Sequence, residues 1–230
     1  KGMSIVHLEI GEPDFDTPQN IRNAATKAMN SGATHYSNSQ GIIPLRKAIA
    51  VEMAKTVGMP IDPERVIVTP GAKPIMFYSI ISLLEEGDEA IYPDPGFPIY
   101  ESMINFTGAK AVPAPLREEN EFRMDVKELE RLITPRTRLI ILNSPHNPTG
   151  SMLSESDIRR IAELAIKNDI VVFSDEVYDQ IIYEGTPFSI ASIPGMLDRT
   201  ILLNGFSKTY AMTGWRLGYA AIPKDLVDPV

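Results

Sequence analysis

Short apolar runs alternate with amphipathic stretches along the chain. The runs at 139–143 and 170–174 stay apolar until a polar residue ends each one, which is typical of strands covered on both faces. The stretch at 42–57 instead carries apolar residues at helical spacing. Because strands alternate with helices, the pattern predicts an α/β fold, a three-layer sandwich in which helices flank a mostly parallel central sheet.

Proline, glycine and capping residues set the element boundaries. Asp125 and Ser154 each precede a helical stretch and are followed three positions later by an acidic residue, the pattern of a capping box. Thr17 is predicted to cap the first helix because Pro18 follows it. Strands are predicted at 65–69, 89–92, 110–113, 139–143, 170–174 and 200–204, and 217–222 can form one more. Helices are predicted at 18–30, 42–57, 73–84, 97–106, 125–133 and 154–168.

Composition narrows the class of protein. A formal net charge of −8 on 230 residues argues against sequence-independent nucleic-acid binding, which needs basic surface to displace counterions. No apolar run approaches the ~20 residues that span a bilayer, and the first residues lack the apolar core of a signal peptide. The chain has no cysteine, so disulfides and thiolate metal sites are excluded. We therefore expect a cytoplasmic protein with no membrane, nucleic-acid or metal partner.

Three successive predicted strands are followed by polar residues that can bind a ligand or take part in catalysis. Asn147 follows the run at 139–143, Asp175 follows the next run, and Lys208 follows the one after that. Taken singly, each has a structural explanation: a turn for Asn147, a helix cap for Asp175 and a solvated loop for Lys208. Parallel strands end at one edge of a sheet, where α/β folds bind ligands, so the convergence of the three favours a functional site.

Lys208 and Arg216 point to one kind of ligand. A lysine amine forms Schiff bases with aldehydes once desolvation or a nearby cation lowers its pKa. Arg216 provides an always-charged fork suited to phosphate. Gly71, Ala72 and Lys73 occupy a strand–helix turn in which backbone N–H groups can bind an anion. An aldehyde cofactor that carries a phosphate needs both chemistries, and pyridoxal 5'-phosphate (PLP) is such a cofactor.

Four motifs carry a resemblance to a known family. They are GEPDF at 11–15, NPTG at 147–150, SDEVY at 174–178 and SKTYAMTGWR at 207–216. With these motifs the chain resembles the large domain of the class I/II (fold-type I) PLP-dependent aminotransferases, the aspartate aminotransferase superfamily. The resemblance covers nearly the whole chain.

The resemblance implies catalytic roles for three residues. Lys208 would form the Schiff base with PLP and then act as the base that moves a proton between Cα and C4′. Asp175 would pair with the pyridine nitrogen and keep it protonated. Tyr178 would hydrogen-bond the ring 3′-oxygen together with Asn147.

Other matching residues are implied to bind the cofactor or the substrate. Phe97 matches the aromatic residue that stacks on the ring, and Gly11 matches a loop glycine near the substrate carboxylate, where Asn147 is also expected. The implied phosphate contacts are Gly71, Ala72, Lys73, Ser207 and Arg216, with Tyr36 reaching the phosphate of a partner subunit.

Two features depart from the family pattern. Gly205 stands where many relatives carry a phosphate-binding serine, so Ser207 is expected to substitute. The chain also ends at Val230, whereas family members continue into a small domain whose arginine binds the substrate carboxylate. We therefore expect an N-terminal segment at 1–16 that belongs to the small-domain and substrate-loop region, a PLP-binding large domain at 17–230, and no C-terminal small domain.

The implied function is PLP-dependent transamination between an amino acid and a 2-oxo acid by a homodimer. The 230 residues alone are expected to bind PLP weakly or to transaminate poorly, since positioning of the substrate carboxylate would be lost. A PLP-dependent lyase, synthase or decarboxylase of the same fold remains an alternative, because the cofactor performs the common step. An aminotransferase-like ligand-sensing domain of a transcription regulator is a second alternative. A dinucleotide-binding domain is excluded because no Gly-x-Gly-x-x-Gly run exists.

Overall fold

The computed structural model describes residues 10–230, so residues 1–9 of the predicted N-terminal segment lie outside the described residues. Within this range the strands are β1 Val66–Thr69, β2 Glu89–Asp94, β3 Lys110–Pro115, β4 Thr137–Asn143, β5 Val171–Asp175, β6 Thr200–Gly205 and β7 Gly218–Ala221. The helices are α1 Gln19–Asn30, α2 Ile43–Val57, α3 Lys73–Leu83, α4 Ile99–Phe106, α5 Val126–Leu132, α6 Glu155–Lys167 and α7 Lys224–Val227. None of these helices is long and apolar enough to cross a membrane.

The strands form one sheet in the order β1-β7-β6-β5-β4-β2-β3. The neighbours from β3 to β6 are parallel, while β7 pairs antiparallel with both β6 and β1. Asn143 at the end of β4 pairs in register with Asp175 at the end of β5, and Asp175 pairs with Leu203 in β6. The mostly parallel sheet is confirmed, and the ends of β4, β5 and β6 lie side by side.

Apolar side chains alternate between the two faces of the sheet. In β4, Leu139 and Ile141 pack with α3 and α4 on one face, whereas Ile140 and Leu142 pack with α5 and α6 on the other. Helix α2 covers the second face beside β1 and β7. Each fully buried leucine or isoleucine contributes about 1.5–3 kcal/mol. The three-layer α/β sandwich is therefore confirmed, and its rigid sheet supports the loops that follow the strands. The predicted division into domains at residues 16 and 17 stays a prediction.

Four strands are longer than the sequence predicted, namely β2, β3, β4 and β6, and the first two contain prolines. Strand β2 continues through Pro93, and β3 continues through Pro113 to Pro115. Proline has no N–H, yet Pro93 lies beyond the part of β2 that pairs with β4, and β3 is the edge strand of the sheet. Prolines are tolerated at such positions because few ladder hydrogen bonds are lost there.

The prediction that Thr17 caps the first helix is wrong. Helix α1 has Pro18 as its N-cap residue and no side-chain cap hydrogen bond. The Thr17 hydroxyl instead donates to the Ala211 carbonyl oxygen at 2.5 Å and accepts from the Trp215 Nε1 at 3.0 Å. The Thr17 hydroxyl therefore makes tertiary hydrogen bonds in place of the helix-capping bond that the local pattern predicted.

The other two predicted caps are present. Ser154 and Asp157 form a capping box at the start of α6. The Asp125 carboxylate accepts from the backbone N–H groups of the second and third residues of α5. The capping box predicted there is not formed, because the Glu128 carboxylate binds the Arg117 guanidinium instead. These caps satisfy N–H groups that have no partner inside the helix.

Candidate active site

A cleft of about 820 Å³ opens where β4, β5 and β6 end. It gathers most of the predicted site residues: Gly11, Ala72, Lys73, Phe97, Asn147, Asp175, Tyr178, Ser207, Lys208 and Arg216. Gly71 lies next to the Arg216 guanidinium at the border of the cleft. Tyr36 lies outside the cleft, and its side chain is fully exposed.

Lys208 reaches the cleft from the loop after β6. Its Nζ donates to the carbonyl oxygen of Gly11 and lies 5.7 Å from the centroid of the Tyr178 ring. Burial lowers the pKa of the Lys208 amine, the charge of Glu12 opposes this shift, and the charge of Arg216 adds to it. A lower pKa leaves more of the amine neutral, which makes Lys208 a better nucleophile than a solvated lysine.

Asp175 ends β5 and is nearly completely buried, with 3% of its surface exposed. Its Oδ2 accepts from the Tyr100 hydroxyl at 2.6 Å, and its Oδ1 accepts from the Val177 N–H at 3.4 Å. Burial raises the pKa of Asp175 to about 6, although both hydrogen bonds lower it. A buried carboxylate is costly unless it is paired, so Asp175 suits a cationic donor bound in the cleft.

Asn143 organises the loop after β4, a role that the sequence pattern did not identify. Its Nδ2 donates to the carbonyl oxygens of Pro145 at 3.2 Å and of Asp175 at 3.1 Å, and its Oδ1 accepts from the Asn147 N–H at 2.8 Å. One buried side chain thus ties the ends of β4 and β5 together and fixes the backbone of Asn147. The one feature of the sequence that could have indicated this role is the position of Asn143, an amide side chain at the end of a continuously apolar run.

The end of the cleft near α3 is suited to an anion. Arg216 has a φ of 54°, and its guanidinium donates to the Thr213 carbonyl oxygen at 2.9 Å. A Cβ on Gly71 would collide with this guanidinium, and the φ of +85° at Gly71 also favours glycine. At the start of α3, Pro74 has no N–H and Ile75 donates to the Ala72 carbonyl oxygen at 3.1 Å, which leaves the N–H groups of Ala72 and Lys73 for a ligand. Together with the fixed cation they can hold a phosphate.

An aromatic wall and a phenol complete the cleft. The Phe97 ring meets the Tyr100 ring edge-on, with centroids 5.9 Å apart and an interplanar angle of 81°. The Nζ of Lys73 lies 5.6 Å from the Phe97 centroid. Burial, and then the charge of Asp175, raise the pKa of Tyr178, so that its neutral hydroxyl is a hydrogen-bond donor at pH 7.

The N-terminal segment closes one side of the cleft. The Thr213 hydroxyl donates to the Glu12 carboxylate. A Cβ on Gly11 would lie 3.8 Å from the Tyr178 hydroxyl and 3.9 Å from the Lys208 Nζ. The structure therefore brings Gly11, predicted to lie near the substrate, against two of the predicted catalytic residues.

Glu176 faces a smaller cavity of about 70 Å³ outside the main cleft. Its Oε1 accepts from the hydroxyls of Ser174 at 2.8 Å and Ser189 at 2.9 Å. Burial raises the pKa of Glu176 to about 8, the two serine hydroxyls lower it, and the charges of Asp179 and Asp175 raise it further. At neutral pH the buried Glu176 carboxyl is therefore mostly protonated.

The Glu176→Gln variant is expected to be more stable than the parent chain at pH 9. Because the folded pKa near 8 exceeds the ordinary value, the stability due to Glu176 is present below its ordinary pKa and is lost as pH rises through about 8. Each pKa unit corresponds to about 1.4 kcal/mol, so we expect a gain of up to about 5 kcal/mol at pH 9 and a much smaller gain at pH 5.

Chemical denaturation at both pH values measures this difference. The Glu85→Gln variant makes the same chemical change at an exposed position and serves as the control, with no such gain expected. Equal gains for Glu176→Gln at pH 5 and pH 9 would show that ionisation is not the cause.

Comparison with known proteins identifies the family. The family model described as aminotransferase class I and II matches residues 4–230. The chain is 45% identical to the aromatic-amino-acid aminotransferase 2 of Thermococcus litoralis and 44% identical to the aspartate aminotransferase of Pyrococcus abyssi, in each case over 226 residues that cover 97% of this chain and 58% of the relative. The crystal structure of an aromatic aminotransferase from Pyrococcus horikoshii matches with a TM-score of 0.93 at 44% identity, over 96% of this chain and 59% of that chain.

These matches have two consequences. The chain spans less than two thirds of the length of these relatives. Because the family model matches nearly the whole chain and a solved member shares its fold, the chain belongs to the class I and II aminotransferase family.

Proposed function

We propose that this chain is the PLP-binding part of an aminotransferase, which transfers the amino group of an amino acid to a 2-oxo acid. The convergence of Lys208, Asp175 and Arg216 in one cleft is the observation that carries the proposal. These residues offer an amine nucleophile, a buried carboxylate and a phosphate-binding cation. PLP needs these three groups at its aldehyde, its ring nitrogen and its phosphate, respectively.

The shape and the hydrogen-bonding groups of the cleft also fit PLP. Gly71 has no side chain, so the Arg216 guanidinium can lie against the turn that precedes α3. Phe97 offers a flat aromatic wall, and Asn147 and Tyr178 offer hydrogen bonds to a ring oxygen. When bound, PLP supplies an aldehyde that binds amines covalently and a ring that accepts electrons from the substrate Cα.

Lys208 has two roles in this proposal. Its amine would hold the cofactor through the aldehyde, and its lowered pKa leaves more of the amine neutral for this role. When free of the aldehyde, the same amine would act as the base that holds and moves a proton beside the substrate Cα. The negative charge of Asp175 would keep the ring nitrogen protonated, and Ser207 would assist Arg216 at the phosphate.

The amino donor is proposed only as an amino acid. Relatives with nearly equal identity carry different names, since one is an aromatic-amino-acid aminotransferase and the other an aspartate aminotransferase. We propose that Gly11, in the predicted segment at 1–16, lies beside the substrate. Its position against Tyr178 and Lys208 supports this role. The predicted PLP-binding domain at 17–230 then holds the cofactor.

A homodimer is part of the proposal. Tyr36 is fully exposed and lies outside the cleft of its own chain, so its hydroxyl is free to reach the phosphate site of a second copy. The cytoplasmic location expected from the sequence stays a prediction.

Reduction of the PLP-treated chain with borohydride tests the cofactor assignment. We expect a visible absorbance band before reduction and, after reduction, the mass of reduced PLP on the peptide that contains Lys208. A folded chain that gains no PLP mass in excess cofactor would contradict the assignment.

Product analysis then tests the reaction. With an amino acid and a 2-oxo acid as substrates, we expect the amino acid that corresponds to the acceptor to form. Release of ammonia or carbon dioxide in its place would favour a lyase or a decarboxylase of the same fold.

A further inference from the structure

We propose that Tyr100 is a positioning residue for Asp175: its hydroxyl fixes one carboxylate oxygen and keeps the carboxylate ionised, so that the other oxygen can receive a cationic ring nitrogen. The inference rests on the proposed function, because it concerns how the cleft meets PLP. The role assigned to the Tyr100 hydroxyl is exerted through Asp175, to which it donates.

The hydrogen bond between Tyr100 and Asp175 is short and dry. The Tyr100 hydroxyl lies 2.6 Å from Asp175 Oδ2, Tyr100 is completely buried, and Asp175 is 3% exposed. A phenol has a single hydrogen to donate, and here it is directed at Oδ2. The Val177 N–H reaches Oδ1 only at 3.4 Å, which is a weak bond. Oδ1 is therefore the oxygen with capacity left for a strong donor.

The packing explains why Tyr100 meets Asp175. Phe173 packs against α3 and α4, and Asp175, two residues further along β5, projects from the same face of the sheet. Tyr100 lies in the first turn of α4, three residues after Phe97, and the two rings meet edge-on. The same short stretch of chain thus provides Phe97, the aromatic wall of the cleft, and Tyr100, the hydrogen-bond donor to Asp175.

The charge on Asp175 depends on few groups. Within residues 10–230, three titratable groups interact with its charge: Tyr100 from α4, and Glu176 and Tyr178 from the loop after β5. Burial raises the pKa of Asp175, and the Tyr100 hydroxyl is the larger of the two hydrogen bonds that lower it. Without that hydroxyl, burial is opposed only by the weak bond from Val177.

The Tyr100→Phe variant tests the proposal because it removes one oxygen and keeps the ring. Carbon NMR of the Asp175 carboxyl, assigned with Asp175→Asn, follows its titration in the chain without PLP. We expect the midpoint to rise by about one to two pH units, the usual worth of a hydrogen bond to a charged group. In the PLP-loaded chain we expect the pH midpoint of the visible absorbance to fall, since the ring nitrogen loses its anionic partner.

Two comparisons make the result decisive. Tyr219→Phe removes another buried tyrosine hydroxyl, which borders the smaller cavity, and should leave the Asp175 titration unchanged. Difluorotyrosine at position 100 is a stronger donor and should move the Asp175 midpoint down. An unchanged Asp175 midpoint in folded Tyr100→Phe overturns the proposal. If the parent chain gains no PLP mass at Lys208, the proposed function fails, while the titration without PLP still decides whether Tyr100 controls Asp175.

Discussion

Lys208→Ala is expected to abolish covalent attachment of PLP and to lower the rate of transamination by about ten-thousand-fold. The variant removes the amine that binds the aldehyde, and it also removes the base that moves the proton, a role worth about 10²–10⁴ in rate. Within the described residues, the other lysine of the cleft is Lys73, whose Nζ lies over the Phe97 ring. The Lys208 Nζ lies instead by Gly11 and the Tyr178 ring, so Lys73 is a poor substitute.

Borohydride trapping and peptide mass spectrometry measure the attachment, and initial rates with an amino acid and a 2-oxo acid measure the reaction. Lys73→Ala is the matched control, because it deletes an amine from the same cleft. We expect this variant to retain PLP mass on the Lys208 peptide. An adduct of the same yield in Lys208→Ala, at any lysine, would remove Lys208 from its assigned role.

Asp175→Asn is expected to stabilise the chain without PLP at pH 8 while lowering the rate of transamination by about a hundred- to several-thousand-fold. Since the folded pKa of Asp175 is raised to about 6, the stability due to this carboxyl is present below its ordinary pKa and is lost as pH rises through 6. The amide has no charge to bury, so the gain at pH 8 should reach about 3 kcal/mol. The rate falls because breaking a buried ion pair costs about 3–5 kcal/mol.

Urea denaturation at pH 4 and pH 8 measures the stability, and the gain should appear only at pH 8. The second buried carboxyl, Glu176, provides the comparison: Glu176→Gln also removes a buried charge but lies outside the cleft, so it should stabilise the chain without the loss of rate. A full rate in Asp175→Asn would mean that the ring nitrogen does not depend on this carboxylate.

Local patterns predicted the strands that form the site. The runs that became β4, β5 and β6 are apolar enough to mark buried parallel strands, and a polar residue ends each of them. Because the carboxyl ends of parallel strands share an edge, Asn147, Asp175 and Lys208 could be placed in one cleft from the sequence. The capping box at Ser154 was equally local and equally clear.

Contacts between distant residues could not be predicted in this way. Tyr100 lies 75 residues before Asp175, and nothing in its own helix distinguishes it from a core aromatic residue. Asn143 has the same difficulty, since its three hydrogen bonds depend on how β4 and β5 pair. Thr17 is the reverse case: local rules predicted that it caps α1, but its hydroxyl bonds a distant carbonyl oxygen instead.

Strand order was also beyond the local pattern. Strand β7 inserts between β1 and β6 and runs antiparallel to both. Apolar periodicity reports burial, but it carries no information about neighbours or direction. A Cβ on Gly218 would collide with the backbone of Gly71 and Ala72. Strand β7 can therefore approach the turn before α3 this closely only because residue 218 is a glycine.

The bond between Trp215 and Thr17 gives the chain a built-in optical probe. Trp215 is the single tryptophan of the sequence, and its indole N–H is held by the Thr17 hydroxyl at 3.0 Å. Indole emission responds to the polarity and hydrogen bonding around the ring, so the fluorescence of the unlabelled chain reports on the contact between Thr17, just before α1, and the loop at 207–216 that carries Lys208. A small molecule that separates the two can therefore be followed in real time without any added dye.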